Sequence, residues 1–168
     1  AAGVEDHVQT HVEDALTFQG DSAGYDVVGL FYAHMPAPLR RPFHQKAISW
    51  LKPGGKLILE GFSIDQLGLT SGGPNKSEML FQMEQLKSDF NELVIERIAP
   101  KQTHLDEGPF HQGKAEIIQW GGTAPILEFL IESHAPPIEP FDRCERRCHF
   151  ARFSVAGLFS SGNPAFIL

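Results

Sequence analysis

The chain has 168 residues, which is enough for one hydrophobic core and too few for two full-sized domains. Its composition, 42% hydrophobic and 21% charged, is that of a folded globular protein rather than of a disordered or membrane protein. Its 21 acidic and 14 basic side chains give a net charge of -7, which disfavours nucleic acid as a partner.

The beginning of the chain and its cysteine content bear on location. No stretch approaches the roughly 18 consecutive apolar residues of a membrane helix, so no membrane partner is expected. The first residues, AAGVEDHVQT, lack the basic and apolar parts of a signal peptide. Two cysteines are too few for a disulfide framework. These features together predict a cytoplasmic location. The absence of an initiator methionine at Ala1 indicates a fragment or a processed product.

The first half of the chain predicts a strand, a helix and a second strand. Residues 8–18 indicate a short strand running into a loop. Residues 25–32, YDVVGLFY, form an apolar run typical of a strand buried on both faces of a parallel sheet. One helical face then carries Leu39, Phe43, Ala47, Ile48 and Leu51. The turn KPGG at 52–55 ends this helix, and residues 56–62 form the next strand. Such a unit favours parallel pairing and an α/β fold.

The second half predicts a helix followed by two strands. Asn75, with Glu78 three residues later, indicates a helix start. An apolar stripe of core residues follows at Met79, Leu80, Met83, Leu86 and Phe90. Residues 93–98 and 114–120 read as an antiparallel strand pair around a loop at 101–112. From Thr123 onward the chain is rich in proline and arginine, and its structure is not predicted.

Several ordered motifs carry a family resemblance. They are YDVV at 25–28, HMP at 34–36, Arg40 and LKPGGKLILEGFS at 51–63. In this order they resemble the central strands of class I S-adenosylmethionine-dependent methyltransferases. QLGLTSGGPNKSEMLFQM at 66–83 and LDEGPFHQGKAEIIQ at 105–119 narrow the resemblance to the tellurite-resistance-like (TehB-like) group. The resemblance covers about residues 1 to 120.

The resemblance implies a Rossmann-like methyltransferase sheet that lacks its first two strands and ends in an antiparallel strand pair. Residues 1–122 would be the C-terminal portion of the methyltransferase domain, and 123–168 a tail of unknown structure. Members of the family carry a glycine-rich loop after their first strand and an acidic residue for the ribose hydroxyls. Neither is found here, so the chain is expected to be an incomplete form of the enzyme.

The function implied by the resemblance is methyl transfer from S-adenosylmethionine, the cofactor, to a small-molecule acceptor in the complete enzyme. The alternative is a non-catalytic binding or interaction remnant of the same fold, which the missing glycine loop favours for this chain. A nicotinamide-dependent oxidoreductase would need a GxGxxG motif after its first strand, and the sequence has none.

The resemblance also assigns site residues. Asp14 matches the position whose carboxylate accepts a hydrogen bond from the adenine amino group, and Ala15 lies beside it. Phe31 and Tyr32 would line the cofactor pocket. His34 is the candidate catalytic residue, as a base toward a thiol or hydroxyl acceptor. A loop-ordering hydrogen bond is the alternative role for its ring. Structural roles are expected for Arg40, His104 and His111. Arg40 would hold the loop after the strand at 25–32 by bonding to carbonyls or carboxylates.

A metal site is not expected. Cys144, Cys148 and His149, with His134 nearby, have the ligand atoms that zinc prefers. A single cysteine pair without a second matched pair is nevertheless a weak signal. At helical spacing the two thiols would share one face and simply pack.

Overall fold

A computed structural model of the chain describes residues 9–126 and 151–153. Its strands are β1 (Gln9–His11), β2 (Tyr25–Phe31), β3 (Leu51–Phe62), β4 (Val94–Asp106), β5 (Gln112–Thr123) and β6 (Ala151–Phe153). Its helices are α1 (Ala37–Ser49) and α2 (Met83–Asp89), with 3-10 turns at Ile64–Gln66 and Ser77–Met79. Neither α1 nor α2 has the length and apolar character needed to cross a membrane.

Four strands form one mixed sheet in the order β2-β3-β5-β4. β2 and β3 pair in parallel, whereas β5 runs antiparallel to both β3 and β4. The predicted α/β class, with a partial Rossmann-like sheet and a terminal antiparallel pair, is therefore confirmed. β1 lies outside this sheet and pairs in parallel with β6, which belongs to the tail after Thr123. Within the described ranges, the outer edge of β2 has no strand beside it.

The hydrophobic core lies between the helices and one face of the sheet, which we call the covered face. Alternate residues of β3, Leu57 and Leu59, are fully buried there because side chains alternate between the two faces of a strand. The core also includes Val28 and Leu30 of β2, Phe43 and Ala47 of α1, Leu86 of α2, Phe90 just beyond it, and Ile118 and Trp120 of β5.

The opposite face, the open face, carries Phe31, Ile58, Glu60, Gln119 and Gly121. Neither α1 nor α2 packs on it. β2 was expected to be buried on both faces, and this expectation is wrong for its open face, where Val27 and Phe31 are only partly buried. Ile58 at the middle of β3 is 43% exposed.

The hairpin of β4 and β5 is longer than the sequence pattern predicts. The strands stay paired from Val94 opposite Thr123 to Asp106 opposite Gln112, so the expected loop at 101–112 shrinks to 107–111. The sequence pattern did not predict this pairing because the segment is mostly polar. Of its residues, Leu105 alone is buried, in a second, smaller core with Phe62.

The predicted helix carrying the 79–90 stripe is interrupted. A 3-10 turn spans Ser77–Met79, and α2 begins only at Met83. Between them Phe81 is drawn into sheet-like pairing: its N–H donates to the Phe62 carbonyl at 2.9 Å, and its carbonyl accepts from the Ile64 N–H at 2.9 Å. Tertiary hydrogen bonds thus override the helical spacing of the apolar residues.

A buried ion pair locks α1 against α2. Arg40 Nε donates to Asp89 Oδ2 at 2.7 Å, and His44 Nδ1 donates to the same oxygen at 3.0 Å. Burial lowers the pKa of His44, so its ring stays neutral. Burial alone would raise the pKa of Asp89, but the hydrogen bonds from His44 and Arg40 outweigh it and hold that pKa below its usual value.

We expect Asp89→Asn to lower the free energy of unfolding by about 2 to 4 kcal/mol, because the Arg40 guanidinium would lose its anion in a nearly buried place. The side chains of Arg40 and Asp89 are only 12% and 4% exposed. Urea denaturation measures the change. Glu84→Gln is the control, because it breaks an exposed ion pair with Lys87 on α2 and should cost less than about 0.5 kcal/mol. Equal effects would contradict a structural role for the buried pair.

Candidate functional site

The carboxyl ends of the two parallel strands define the candidate site. Phe31 at the end of β2 lies opposite Glu60 of β3, so the segments that follow both strands emerge side by side. Open α/β sheets bind ligands in the crevice at this end. A trough of about 280 Å³ opens next to the end of β3, between residues 63–65 and Met83.

Tyr32 has an unusual backbone conformation at this end. Its φ is 52°, which is uncommon for a bulky aromatic residue. Two hydrogen bonds to Glu60 hold Tyr32 in this conformation. The Tyr32 N–H donates to the Glu60 carbonyl at 2.7 Å, and the phenol donates to Glu60 Oε1 at 3.3 Å. Burial, followed by the charges of Glu60 and Glu107, raises the pKa of Tyr32. The phenol therefore remains protonated and acts as a donor.

Glu60 is a site residue that the sequence analysis did not single out. Besides the phenol, its carboxylate accepts a hydrogen bond from Gln119 Nε2 at 2.7 Å. The signal was present in KLILEGF, where a lone acid follows three apolar residues inside a strand. Its partners could not be inferred, because they come from β2 and β5, far away in the chain.

His34 uses both ring nitrogens inside the structure. Nδ1 donates to the Met79 carbonyl at 2.8 Å, and Nε2 accepts from the Phe62 N–H at 3.0 Å. The ring also stacks on Phe81 at 4.5 Å between centroids. These are the bonds of the loop-ordering role, the alternative to catalysis. Burial lowers the pKa of His34 to about 4 despite the carbonyl of Met79, which acts in the opposite direction.

Asp14 and Ala15 lie on the turn after β1. The hydrogen bonds of Asp14 stay within that turn: Oδ1 accepts from the Leu16 N–H at 2.7 Å, and the backbone carbonyl accepts from the Phe18 N–H. The Asp14 side chain is exposed, whereas Ala15 is buried in the main core. The structure thus brings Phe31, Tyr32 and His34 together, and it shows no bond from Asp14 to any of these three in the described ranges.

The two motifs that narrowed the family resemblance meet in space. Gln66 Nε2 donates to Ser71 Oγ and to the Gly72 carbonyl, each at 2.9 Å, and Gln66 Oε1 accepts from the Glu116 N–H at 2.9 Å. Gly72 has a φ of 115°, and a Cβ there would overlap the His111 ring. The GGP loop is therefore fixed against the hairpin that carries the EGPFHQG motif.

Among the residues that the structure describes, no group of three or more His, Cys, Asp or Glu side chains could hold a metal ion. The cysteine and histidine cluster from His134 to His149 lies outside the described residues.

Arg40 was expected to hold the loop after β2. Its observed partner is the carboxylate of Asp89 at the end of α2 instead. The expected kind of bond is therefore present, but it joins two helices rather than anchoring that loop.

We expect His34→Gln to flatten the acid dependence of stability. With a folded pKa of about 4, His34 remains neutral while the unfolded chain takes up a proton below about pH 6.5, so stability falls as the pH drops from 6.5 towards 4. Gln cannot titrate but can donate to Met79 or accept from Phe62. The slope of the free energy of unfolding against pH should decrease by up to about 1.4 kcal/mol per pH unit.

Urea denaturation at pH 8, 6 and 5 measures this slope for the two chains. The values at pH 8 serve as the control, because they report the altered hydrogen bonds alone. Equal slopes for His34→Gln and the unaltered chain would show that His34 is not a buried neutral ring. The contribution of His44 has the same sign and remains in both chains.

No sequence model of a protein family matches the chain, and no curated protein matches it by sequence. Solved structures do match. An S-adenosylmethionine-dependent methyltransferase from Methanosarcina mazei aligns at 15% identity with a TM-score of 0.53, over 69% of this chain and 66% of its own. TehB from Haemophilus influenzae aligns at 12% identity with a TM-score of 0.53, over 69% of this chain and 41% of its own.

A third solved structure concerns the conversion of a disulfide bond into a thioacetal group during echinomycin biosynthesis. It aligns at 13% identity with a TM-score of 0.54. It covers 73% of this chain and 58% of its own. The chain therefore spans 41% to 66% of the length of these three proteins. At such low identity the likeness concerns the fold: the chain has part of the class I methyltransferase fold.

Proposed function

We propose that this chain is the acceptor-side part of an enzyme that transfers a methyl group from S-adenosylmethionine to a small-molecule acceptor. The observation that carries the proposal is the mixed sheet β2-β3-β5-β4, which places Phe31 and the strained Tyr32 at the crevice end of two parallel strands. The likeness to methyltransferase structures supports the same reading.

Methyl transfer to a nucleophile is an in-line displacement at the sulfonium carbon, so the protein has to align donor and acceptor away from water. Phe31 and Tyr32 would form one wall of the cofactor pocket, and Asp14, with Ala15 beside it in the chain, would face the adenine. Backbone strain that is held by two hydrogen bonds, as at Tyr32, is typical of functional sites.

His34 would contribute as a positioning residue rather than as a base. Its ring joins the loop after β2 to Met79 and to the end of β3, so it fixes the crevice wall. With Nδ1 donating and Nε2 accepting, neither nitrogen is left to take a proton from an acceptor. The catalytic assignment made from the sequence would require one of these bonds to break.

The proposal includes three finer points: membership of the tellurite-resistance-like group, a cytoplasmic location and the incompleteness of this chain. The juxtaposition of the GGP loop with His111 supports the first. Among the described residues no strand pairs with the outer edge of β2, which supports the last, because an exposed edge strand is normally covered. The same bare edge favours the second candidate, a non-catalytic binding remnant of the fold.

Calorimetric titration with S-adenosylmethionine and S-adenosylhomocysteine tests the proposal on two proteins. One is the 168-residue chain, and the other is extended at its amino end through the two strands and the glycine-rich loop that the proposal requires. We expect saturable binding by the extended protein alone. Binding of neither compound to the extended protein would support the remnant. Equal binding by the short chain would show that the glycine loop is dispensable.

Variants of the extended protein test the pocket wall. We expect Phe31→Ala to weaken S-adenosylhomocysteine binding about tenfold, which corresponds to about 1.4 kcal/mol and is of the order expected for losing an aromatic contact. Phe110→Ala is the matched control, because Phe110 is 70% exposed on the β4–β5 turn and should change nothing. Equal affinities of the two variants would remove Phe31 from the cofactor site.

A further inference from the structure

The trough of about 280 Å³ next to the end of β3 lies on the covered face of the sheet. Its floor is apolar, because Ile118 of β5 and Pro100 of β4 line it and pair with each other across the two strands. Phe81 forms one wall, and Met83 at the start of α2 forms another. Met83 is 39% exposed, so apolar surface of the trough is open to solvent.

The trough is separated from the crevice wall at Tyr32. Phe81 stands between them, because its ring lines the trough and also stacks on His34 at 4.5 Å between centroids. The part of the enzyme that the proposed function adds would join the outer edge of β2 and cover the open face. The trough lies on the other face, and β4 is at the opposite end of the sheet order from β2. A ligand in the trough would therefore not compete with that part.

The rim of the trough is acidic. Asp65 lines it from the segment after β3, and Glu84 lines it from the first turn of α2. Within the described ranges no lysine, arginine or histidine lines it, and Asp65 forms no ion pair there. Lys87 Nζ donates to one oxygen of Glu84, at 2.7 Å, in an exposed pair. Exposed pairs of this kind are weak, so the rim attracts cations.

The lining offers few hydrogen bonds to a ligand. Ser63 is its buried polar residue, and Ser63 Oγ already accepts from the Asp65 N–H at 3.3 Å. A primary ammonium ion on the apolar floor would lose hydrogen bonds to water that this lining does not replace. A quaternary ammonium ion has no N–H to satisfy, and its methyl groups suit an apolar floor beside an aromatic ring.

We propose that the trough binds a small quaternary ammonium ion. Asp65 and Glu84 on the rim supply the opposite charge. The floor and the Phe81 wall supply the surface on which the methyl groups pack. This inference goes beyond methyl transfer and does not require it.

Choline is the probe, added to the 168-residue chain without S-adenosylmethionine and followed by the NMR shifts of the backbone amides. We expect saturable binding, with the largest shifts at residues 63–65 and 82–84. The matched control is 3,3-dimethylbutan-1-ol, which has the shape of choline with carbon in place of the charged nitrogen. At low salt the alcohol should bind about tenfold more weakly, and added salt should weaken the binding of choline alone. Equal binding by the alcohol would overturn the assignment of a cation.

Variants test the charges of the rim. Asp65→Asn and Glu84→Gln should each weaken choline binding about threefold, and the double variant about tenfold, because each carboxylate attracts the cation across a surface in contact with water. Glu92→Gln is the control. Glu92 is exposed between α2 and β4 and does not line the trough, so this change removes the same charge from elsewhere. An equal loss of affinity with Glu92→Gln would contradict the assigned rim.

A further variant tests the location. Met83→Lys should abolish choline binding, because it puts a fixed cation in the wall of the trough. Dispersed amide spectra confirm that the variant is folded. Undiminished binding by Met83→Lys, or no saturable binding of choline by the unaltered chain, would overturn the proposal whatever the outcome with S-adenosylmethionine.

Discussion

Strand β3 is the constraint on which the rest of the structure depends. It is hydrogen-bonded along both edges, in parallel with β2 and antiparallel with β5. This double pairing aligns Phe31, Glu60 and Gln119 in one row across the sheet. A shift of one residue would send Glu60 to the covered face and Leu59 to the open face, because side chains alternate with a period of two. The register therefore fixes both the core and the hydrogen bonds that hold Tyr32.

A column of aromatic rings connects the crevice with the centre of the core. His34 and Phe81 stack at 4.5 Å, His44 and Phe90 stack at 4.5 Å, and Phe90 contacts Trp120 at 4.5 Å. Both histidines are neutral and pack as rings as well as donors. The buried pair of Arg40 and Asp89 holds the helix ends beside this column. Packing in the core thus supports the geometry of the crevice wall.

The two faces of the sheet differ in chemistry. The covered face is apolar around Leu57 and Leu59, whereas the open face alternates apolar and charged groups: Ile58 lies between Lys56 and Glu60 on the same strand. Side chains on neighbouring strands bind these charged groups: Glu96 forms an ion pair with Lys56, and Gln119 donates a hydrogen bond to Glu60. Such cross-strand pairs stabilise a sheet that is in contact with water.

The sequence by itself determined the α/β class, the parallel pair β2 and β3, helix α1 and the antiparallel pair at the end, because apolar periodicity and the Pro-Gly turn are local signals. It also indicated Phe31, Tyr32 and His34 as neighbours at one strand end. The tertiary structure decided the break at Phe81, the length of β4 and the partners of Arg40, His34 and Glu60. These depend on hydrogen bonds between residues up to 59 positions apart, which no local pattern contains.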